Sequence, residues 1–162
     1  MTTRRASRRR TLKIAAGAAA VVAAAKSVQA APNVVGIWKL AGGSMTDPSG
    51  KKVGVPYGPR GMGLVSLTGD GRMMAVLVDG RARLPDGAKR EYSSYCGNYT
   101  FDGSTLITTV DAASDPSRMG SQQVRKVRFE GERMILVPPE REEGGVKFRR
   151  EVAWERVSTN SL

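Results

Sequence analysis

The sequence EYSSYCGNYTFDGSTLITTVD, at Glu91–Asp111, consists of two runs rich in aromatic and β-branched residues, separated by Asp102-Gly103. Aromatic and β-branched residues favour strands, and an Asp-Gly pair between two such runs is typical of a tight β-hairpin. We therefore predict two antiparallel strands, Glu91–Phe101 and Ser104–Asp111.

Short strands and glycine-containing turns continue in both directions along the chain. Asp70-Gly71 predicts another tight hairpin, and Gly131 predicts a further turn. After residue 31 the apolar residues do not recur with the helical period over any long window, so no long helix is expected. The link Asp79–Arg90 has room for one helical turn. The eight predicted strands are Gly36–Met45, Met62–Thr68, Arg72–Val78, Glu91–Phe101, Ser104–Asp111, Gln122–Glu130, Arg133–Val137 and Val146–Val157.

Eight sequential strands joined mostly by hairpins indicate an all-β, up-and-down antiparallel sheet. A sheet of this length, with no helix to cover a face, loses its exposed edges when it closes on itself. An eight-stranded barrel encloses room for side chains or for one small ligand. The sequence therefore predicts an eight-stranded up-and-down antiparallel β-barrel.

The composition limits the chemistry that this barrel can carry. The chain has 162 residues, enough for one domain, and 40% of them are hydrophobic and 25% charged, as in ordinary globular proteins. A single cysteine, Cys96, excludes an intramolecular disulfide, and the absence of histidine excludes Cys/His zinc sites and a His-ligated haem. We expect no cofactor, no metal site and no catalytic residue.

The first 30 residues have the three-part order of an export signal. Met1–Lys13 holds six basic residues and no acid, Ile14–Ala25 is a run of small and apolar residues, and Val28-Gln29-Ala30 fits a small-x-small cleavage site. The apolar run is too short and too rich in alanine for a stable membrane span, which needs about 20 apolar residues. We predict that residues 1–30 are a signal peptide cleaved after Ala30, with no stable membrane span afterwards.

Within that segment, Ser7–Lys13 has the sequence SRRRTLK, which resembles the twin-arginine export signal of bacteria. It departs from that signal at Thr11, where phenylalanine is more usual. A Sec signal with extra charge and a retained basic arm are the alternatives. The twin-arginine reading places the protein in the periplasm or outside a bacterial cell.

Removal of the signal changes the class of partner that the charge implies. Seven of the 26 basic residues lie in residues 1–30, which contain no acid, so the formal net charge of the whole chain, +11, falls to +4 for 19 basic and 15 acidic residues. A specific DNA reader needs a one-sided basic surface. We therefore expect no nucleic-acid partner.

Four short motifs follow in order along the predicted barrel. They are Gly-x-Trp in Val35–Leu40 (VGIWKL), Tyr-x-Gly-x-Tyr at Tyr95–Tyr99, Gln-x-x-Arg ending at Arg125, and Trp-Glu-Arg at Trp154–Arg156. Together they resemble the bacterial lipocalin-like domain family over nearly all of residues 34–157. The resemblance implies a barrel domain with an internal cavity over residues 34–157, and it implies no particular ligand. The resemblance also implies that Trp38 plugs the closed end under a basic residue, for which Arg156 is the first choice and Arg150 the second. After the last predicted strand we expect a disordered tail at 158–162.

Side-chain alternation selects the residues that face the interior. With the more aromatic face of each strand turned inward, the candidates for lining the cavity are Tyr95, Tyr99, Gln123, Arg125, Arg150 and Trp154. A buried arginine needs a partner, which for Arg125 is either a structural carboxylate or the acid head of an amphipathic ligand. Cys96 is expected on the face opposite Tyr95. A slip of one residue in register would reverse these faces.

Three functions are compatible with such a barrel. The first is an exported protein that holds a small, mostly apolar or amphipathic ligand in the cavity. The second is an envelope protein-binding module, an inhibitor or assembly factor, that acts through the open-end loops Thr46–Gly61, Asp79–Arg90 and Ala112–Gly120. The third is an isomerase or cyclase that uses Tyr95, Tyr99 or Arg125 to orient a substrate, against which the lack of histidine counts.

Overall fold

The structure, a computed structural model, describes residues 33–158. The predicted signal peptide at residues 1–30 and residues 159–162 of the predicted tail lie outside the described residues. The described strands are β1 (Gly36–Thr46), β2 (Lys52–Gly54), β3 (Gly61–Leu67), β4 (Arg72–Asp79), β5 (Tyr92–Phe101), β6 (Thr105–Ala113), β7 (Gln122–Glu130), β8 (Arg133–Val137), β9 (Arg141–Glu143) and β10 (Val146–Ser158).

Eight of these strands form a closed antiparallel barrel. Each strand pairs with the next in the order β1, β3, β4, β5, β6, β7, β8 and β10. The last strand, β10, then pairs back with β1, from the pair of Ile37 with Ser158 to the pair of Thr46 with Arg149. The predicted eight-stranded up-and-down barrel is confirmed. Among residues 33–158, no helix is long and apolar enough to cross a membrane.

Two short strands extend the barrel at one end and were not predicted. β2 pairs with the last residues of β1, and β9 pairs with the first residues of β10. Each has three residues, and so short a segment contains too few alternations to separate a strand from a loop. Both lie in segments to which the sequence analysis assigned no strand.

The helical turn that the structure contains lies in a different loop from the one considered in the sequence. Residues 80–90 contain no helical turn, whereas Pro116–Arg118 forms a short 3₁₀ helix after β6. Asp115 caps this turn, because its side chain accepts a hydrogen bond of 3.0 Å from the Ser117 N–H. Pro116 at the first position has a backbone φ already suited to the turn. The loop therefore holds Arg118 in a fixed place.

The Asp-Gly pairs form the hairpin turns at one end of the barrel. Gly71 and Gly103 take positive φ values of 86° and 98°, which glycine adopts without a steric penalty. Asp102 accepts hydrogen bonds from the N–H groups of Ser104 (2.8 Å) and Thr105 (2.7 Å). These turns, the start of β1 and the end of β10 all lie at the closed end of the barrel. The loops between β1 and β3, β4 and β5, β6 and β7, and β8 and β10 surround the open end.

Apolar side chains lie on both faces of β3, so the hydrophobic pattern of this strand does not show which face packs in the core. Leu67 is 1% exposed and packs in the core, while Leu64 is 52% exposed on the outer surface. The outer face of β3 and β4 carries further exposed apolar side chains, Met62, Met74 and Val76. Because both faces of β3 are apolar, its inward face follows from the neighbouring strands and not from its own hydrophobicity.

The contrast between the two leucines of β3 gives a direct test of the fold. Leu67→Ala should lower the free energy of unfolding by about 2–5 kcal/mol, because it leaves a cavity in the core. Leu64→Ala, the same substitution on the same strand, should change it by less than about 0.5 kcal/mol. Urea unfolding of residues 31–162 measures both. Equal effects would mean that the register of β3 is wrong.

Candidate functional site

The closed end of the barrel is built around Trp38. The indole is 1% exposed, and its N–H donates to the Val34 carbonyl at 2.8 Å. The Arg156 guanidinium lies over the ring, with its central carbon 4.0 Å from the ring centroid. Such a contact contributes about 0.5–2 kcal/mol. Arg156 occupies the place that the sequence analysis gave it as first choice, and Arg150 lies at the other end of the barrel.

Arg156 is held in place by backbone carbonyls. Its guanidinium donates to the carbonyl of Val35 at 2.5 Å and to that of Asn33 at 2.6 Å. Burial lowers the pKa of Arg156 from its ordinary value, as desolvation does for any cation. The arginine therefore ties the segment before β1 to the end of β10 and covers the tryptophan.

A cavity of about 510 Å³ opens at the opposite end, between the loops. Side chains from four barrel strands make its lower part apolar: Val65, Met73, Ala75, Leu77, Leu136, Val152 and Trp154. Its upper part is polar. Five of the six predicted residues line the cavity: Tyr95, Gln123, Arg125, Arg150 and Trp154. The predicted inward faces of β5, β7 and β10 are thus the faces that meet there.

Tyr99 does not line the cavity, and its assignment to the cavity was wrong. Its hydroxyl donates to the Thr68 carbonyl at 2.8 Å, in the hairpin between β3 and β4 at the closed end. Tyr99 shares a face with Tyr95, but four residues along a strand cover about 13 Å. Alternation assigns a face and leaves the depth along the barrel axis undetermined.

Two cavity-lining residues carry buried N–H donors without a hydrogen-bond partner among the described residues. These are the Nε of Arg150 and the indole nitrogen of Trp154. The remaining nitrogens of Arg150 form ion pairs with Glu91 at 3.2 Å and Glu143 at 3.5 Å. An unsatisfied buried donor costs about 1–3 kcal/mol. The cavity wall therefore contains polar groups whose bonding is incomplete in the protein alone.

Arg125 lacks the structural carboxylate that was one of its two expected partners. Within residues 33–158 it forms no ion pair, and it donates to the Val124 carbonyl at 2.7 Å and to the Gln123 amide oxygen at 3.4 Å. Arg118, which the sequence analysis missed, donates to the same Gln123 oxygen at 2.8 Å. The two guanidinium groups thus converge at the mouth of the cavity.

Arg118 is held by two further contacts. It donates to the Ser93 hydroxyl at 2.9 Å, and its guanidinium lies 4.2 Å from the centroid of the Tyr95 ring. The residue belongs to the capped turn after β6, in a loop that the sequence analysis considered only as a protein-binding surface. The Asp115-Pro116 pair was a usable signal for an ordered turn, but it does not tell which way Arg118 points.

Tyr57 is a second residue of the mouth that the sequence analysis missed. It comes from the loop between β2 and β3 and adopts a positive φ of 61°, which is uncommon for a residue other than glycine. Its N–H donates to Glu91 at 2.7 Å. Burial raises the pKa of the Tyr57 hydroxyl, while the Ser93 hydroxyl and the charge of Arg125 oppose that rise.

The long link between β4 and β5 is braced by Asp79, whose side chain is 3% exposed. Arg81 forms an ion pair of 2.6 Å with this carboxylate, and that hydrogen bond holds the pKa of Asp79 below its ordinary value. Arg90 donates to the carbonyls of Asp79 and Arg81. The link is therefore held at the open end by arginine contacts without a helical turn.

Cys96 lies outside the cavity, on the face opposite Tyr95. Its thiol donates to Asp111 at 3.3 Å, and Asp111 also pairs with Arg72 at 2.6 Å. Burial and the neighbouring Asp111 carboxylate raise the pKa of the thiol. A raised thiol pKa disfavours the reactive thiolate at neutral pH. Within residues 33–158, no group of three or more His, Cys, Asp or Glu residues is placed to hold a metal ion.

One family comparison bears on this arrangement. Residues 81–157 match the family model of the lipocalin-like domain. The matched segment extends from the link after β4 to β10 and includes the cavity-lining residues of β5, β7 and β10. No curated protein and no solved structure gave a match to the chain. The match and the closed barrel together support a lipocalin-like fold.

The environment of Cys96 predicts how its thiol reacts with pH. The rate of alkylation of Cys96 by iodoacetamide should increase with pH, and the midpoint of this increase should lie above the pKa of an ordinary cysteine, which is about 8.5. Asp111→Asn should lower the midpoint, because it removes a negative charge that disfavours the thiolate and leaves Arg72 nearby. Rates measured between about pH 7 and pH 10 determine both midpoints. The matched control Asp86→Asn changes an exposed aspartate and should leave the midpoint unchanged. A wild-type midpoint at or below the ordinary cysteine pKa would contradict the environment described for Cys96.

Proposed function

We propose that this protein is a lipocalin-like binding protein that holds a small, mostly apolar or amphipathic molecule inside its barrel. The observation that carries the proposal is the cavity of about 510 Å³, apolar below and polar at its mouth. Binding sites for small molecules are concave spaces of about 300–1,000 Å³, mostly apolar, with a few placed polar groups. The match of residues 81–157 to the lipocalin-like domain supports the same function.

Two observations favour ligand binding over catalysis: the lipocalin-like fold, and the positions of the three residues considered for an isomerase or cyclase. The lipocalin-like family is generally a binding fold. Of the three groups named for an isomerase or cyclase, Tyr99 bonds to the closed-end hairpin, whereas Tyr95 and Arg125 line the cavity. A role in ligand binding explains the positions of Tyr95 and Arg125 as well as a catalytic role does.

A neutral fluorescent probe tests whether the cavity takes a ligand. N-phenyl-1-naphthylamine should bind the barrel at one saturable site and quench tryptophan emission, because Trp154 lines the cavity. The variant Trp38→Phe leaves Trp154 as the only tryptophan and should keep the quenching. Native mass spectrometry of protein from its own host should also detect a bound small molecule.

A pair of adjacent substitutions on β4 provides the control. Ala75→Phe places a large ring in the cavity and should weaken probe binding by about tenfold or more, which corresponds to about 1.4 kcal/mol. Val76→Phe adds a ring at the next position, which is 40% exposed on the outer surface, and should leave binding unchanged. Equal binding by the two variants would place the probe outside the barrel and refute the proposal.

We further propose that residues 1–30 direct export of the barrel by the twin-arginine route to the periplasm or beyond. The support is the order of a basic segment, an apolar segment and a small-residue cleavage site, together with the paired arginines Arg8 and Arg9. A route that carries folded cargo suits a protein with a single cysteine, which needs no disulfide outside the cytoplasm.

The paired arginines can be tested by conservative exchange. In a bacterium that has the route, Arg8→Lys with Arg9→Lys should abolish processing and export of the full chain, whereas Arg4→Lys with Arg5→Lys should preserve both. Cell fractionation and the mass of the mature N-terminus measure the result. Export that survives the first pair would favour the Sec signal, and an uncleaved cytoplasmic wild type would favour the retained basic arm.

A further inference from the structure

The mouth of the cavity contains two arginines that form no ion pair with a carboxylate of the described residues. Arg118 and Arg125 appear in no ion pair within residues 33–158, and their acceptors are the neutral oxygens of Gln123, Ser93 and Val124. Arg150, on the same cavity, differs because Glu91 and Glu143 pair with it. The two arginines without an ion pair therefore lie together, at the shared Gln123 side chain.

The two arginines are also close to each other. Each donates to the same oxygen of Gln123, at 2.8 Å and 3.4 Å, so the two donor nitrogens lie no more than about 6 Å apart. Two like charges at such a distance in a partly buried site repel each other. An anion bound between them would replace this repulsion with two charge-assisted hydrogen bonds.

The contacts of Arg118 hold the pair in place before any ligand arrives. The guanidinium stacks on Tyr95 and donates to Ser93, and Arg125 lies near enough to Tyr57 to influence the pKa of its hydroxyl. Side chains that are already ordered lose less entropy when they bind. The mouth thus offers two ordered guanidinium groups beside the hydroxyl groups of Ser93 and Tyr57.

Immediately below this polar mouth the cavity is apolar, down to Trp154, Leu136 and Val65. A ligand that matches both parts has an anionic group at one end and an apolar body at the other. A neutral ligand would leave the two arginines without an ion pair, and a cationic ligand would place a further positive charge beside them.

We propose, on the basis of the function proposed above, that the ligand of this barrel is an amphipathic anion whose single carboxylate-type head group binds between Arg118 and Arg125. The apolar body of this ligand lies in the lower cavity against Trp154. Arg118 and Arg125 are binding and specificity-determining residues, and Gln123 positions both of them.

Three probes with the same ten-carbon chain and different head groups test this assignment. Decanoate, decanol and decyltrimethylammonium compete with N-phenyl-1-naphthylamine for the wild-type barrel. Decanoate should bind about tenfold or more tightly than decanol, since a hydrogen bond to a charged group contributes more than a neutral one. Decyltrimethylammonium should bind most weakly. This comparison needs no variant.

Substitutions then assign the preference to the two arginines. Arg125→Gln and Arg118→Gln should each remove most of the advantage of decanoate over decanol, because each removes one of the two cations that contact the anionic head group. Lys126→Gln is the matched control, because it makes the same charge change at the next position of β7, on the exposed outer face. Circular dichroism and thermal unfolding establish that each variant is folded.

The outcomes separate this inference from the function on which it rests. If decanol and decanoate bind equally to the wild type, or if Lys126→Gln reduces the preference as much as Arg125→Gln, the cavity binds ligands but the anion site is overturned. If none of the probes, including N-phenyl-1-naphthylamine, enters the barrel, the proposed function itself fails. A decanoate preference lost in the two arginine variants alone establishes the site.

Discussion

The pairing of β1 with β10 is the interaction on which the rest of the structure depends. It joins the first and last strands of the barrel, from the pair of Ile37 with Ser158 to the pair of Thr46 with Arg149. This pairing closes the sheet into a barrel with an interior. Contacts between residues so distant in sequence require the chain to lose conformational entropy. Burial of Trp38 and Trp154 beside this seam, at 1% and 2% exposure, offsets that loss.

Closure also requires the strands to bend, and small residues permit this. The pairing of β1 with β10 shifts between Leu40 and Gly42, and the pairing of β5 with β6 shifts between Cys96 and Gly97. A Cβ added at Gly97 would lie 1.9 Å from the Thr109 carbonyl oxygen, so no larger residue fits without movement of the backbone. Bulges of this kind increase the local twist and allow a sheet to curve.

The cylinder has two chemically different ends because its arginines are satisfied in different ways. At the closed end, the carbonyls of Asn33 and Val35 and the face of Trp38 surround Arg156. At the open end, Arg118 and Arg125 share one amide oxygen and face an enclosed space. The first arrangement is complete within the protein and stabilises the base of the barrel. In the second, neither arginine forms an ion pair among the described residues.

The sequence by itself determined the eight strands of the barrel, their order and the inward faces of β5, β7 and β10, because an alternation of two residues and the Asp-Gly turns are local properties. It placed Tyr95, Arg125 and Trp154 on the inner wall for the same reason. Only the tertiary structure decided depth and loop position. Tyr99 shares the face of Tyr95 yet bonds to the closed-end hairpin, and Arg118 and Tyr57 reach the mouth from loops whose paths depend on contacts distant in sequence. Local pattern carries no information about such paths, since it fixes direction relative to a strand and not position within the barrel.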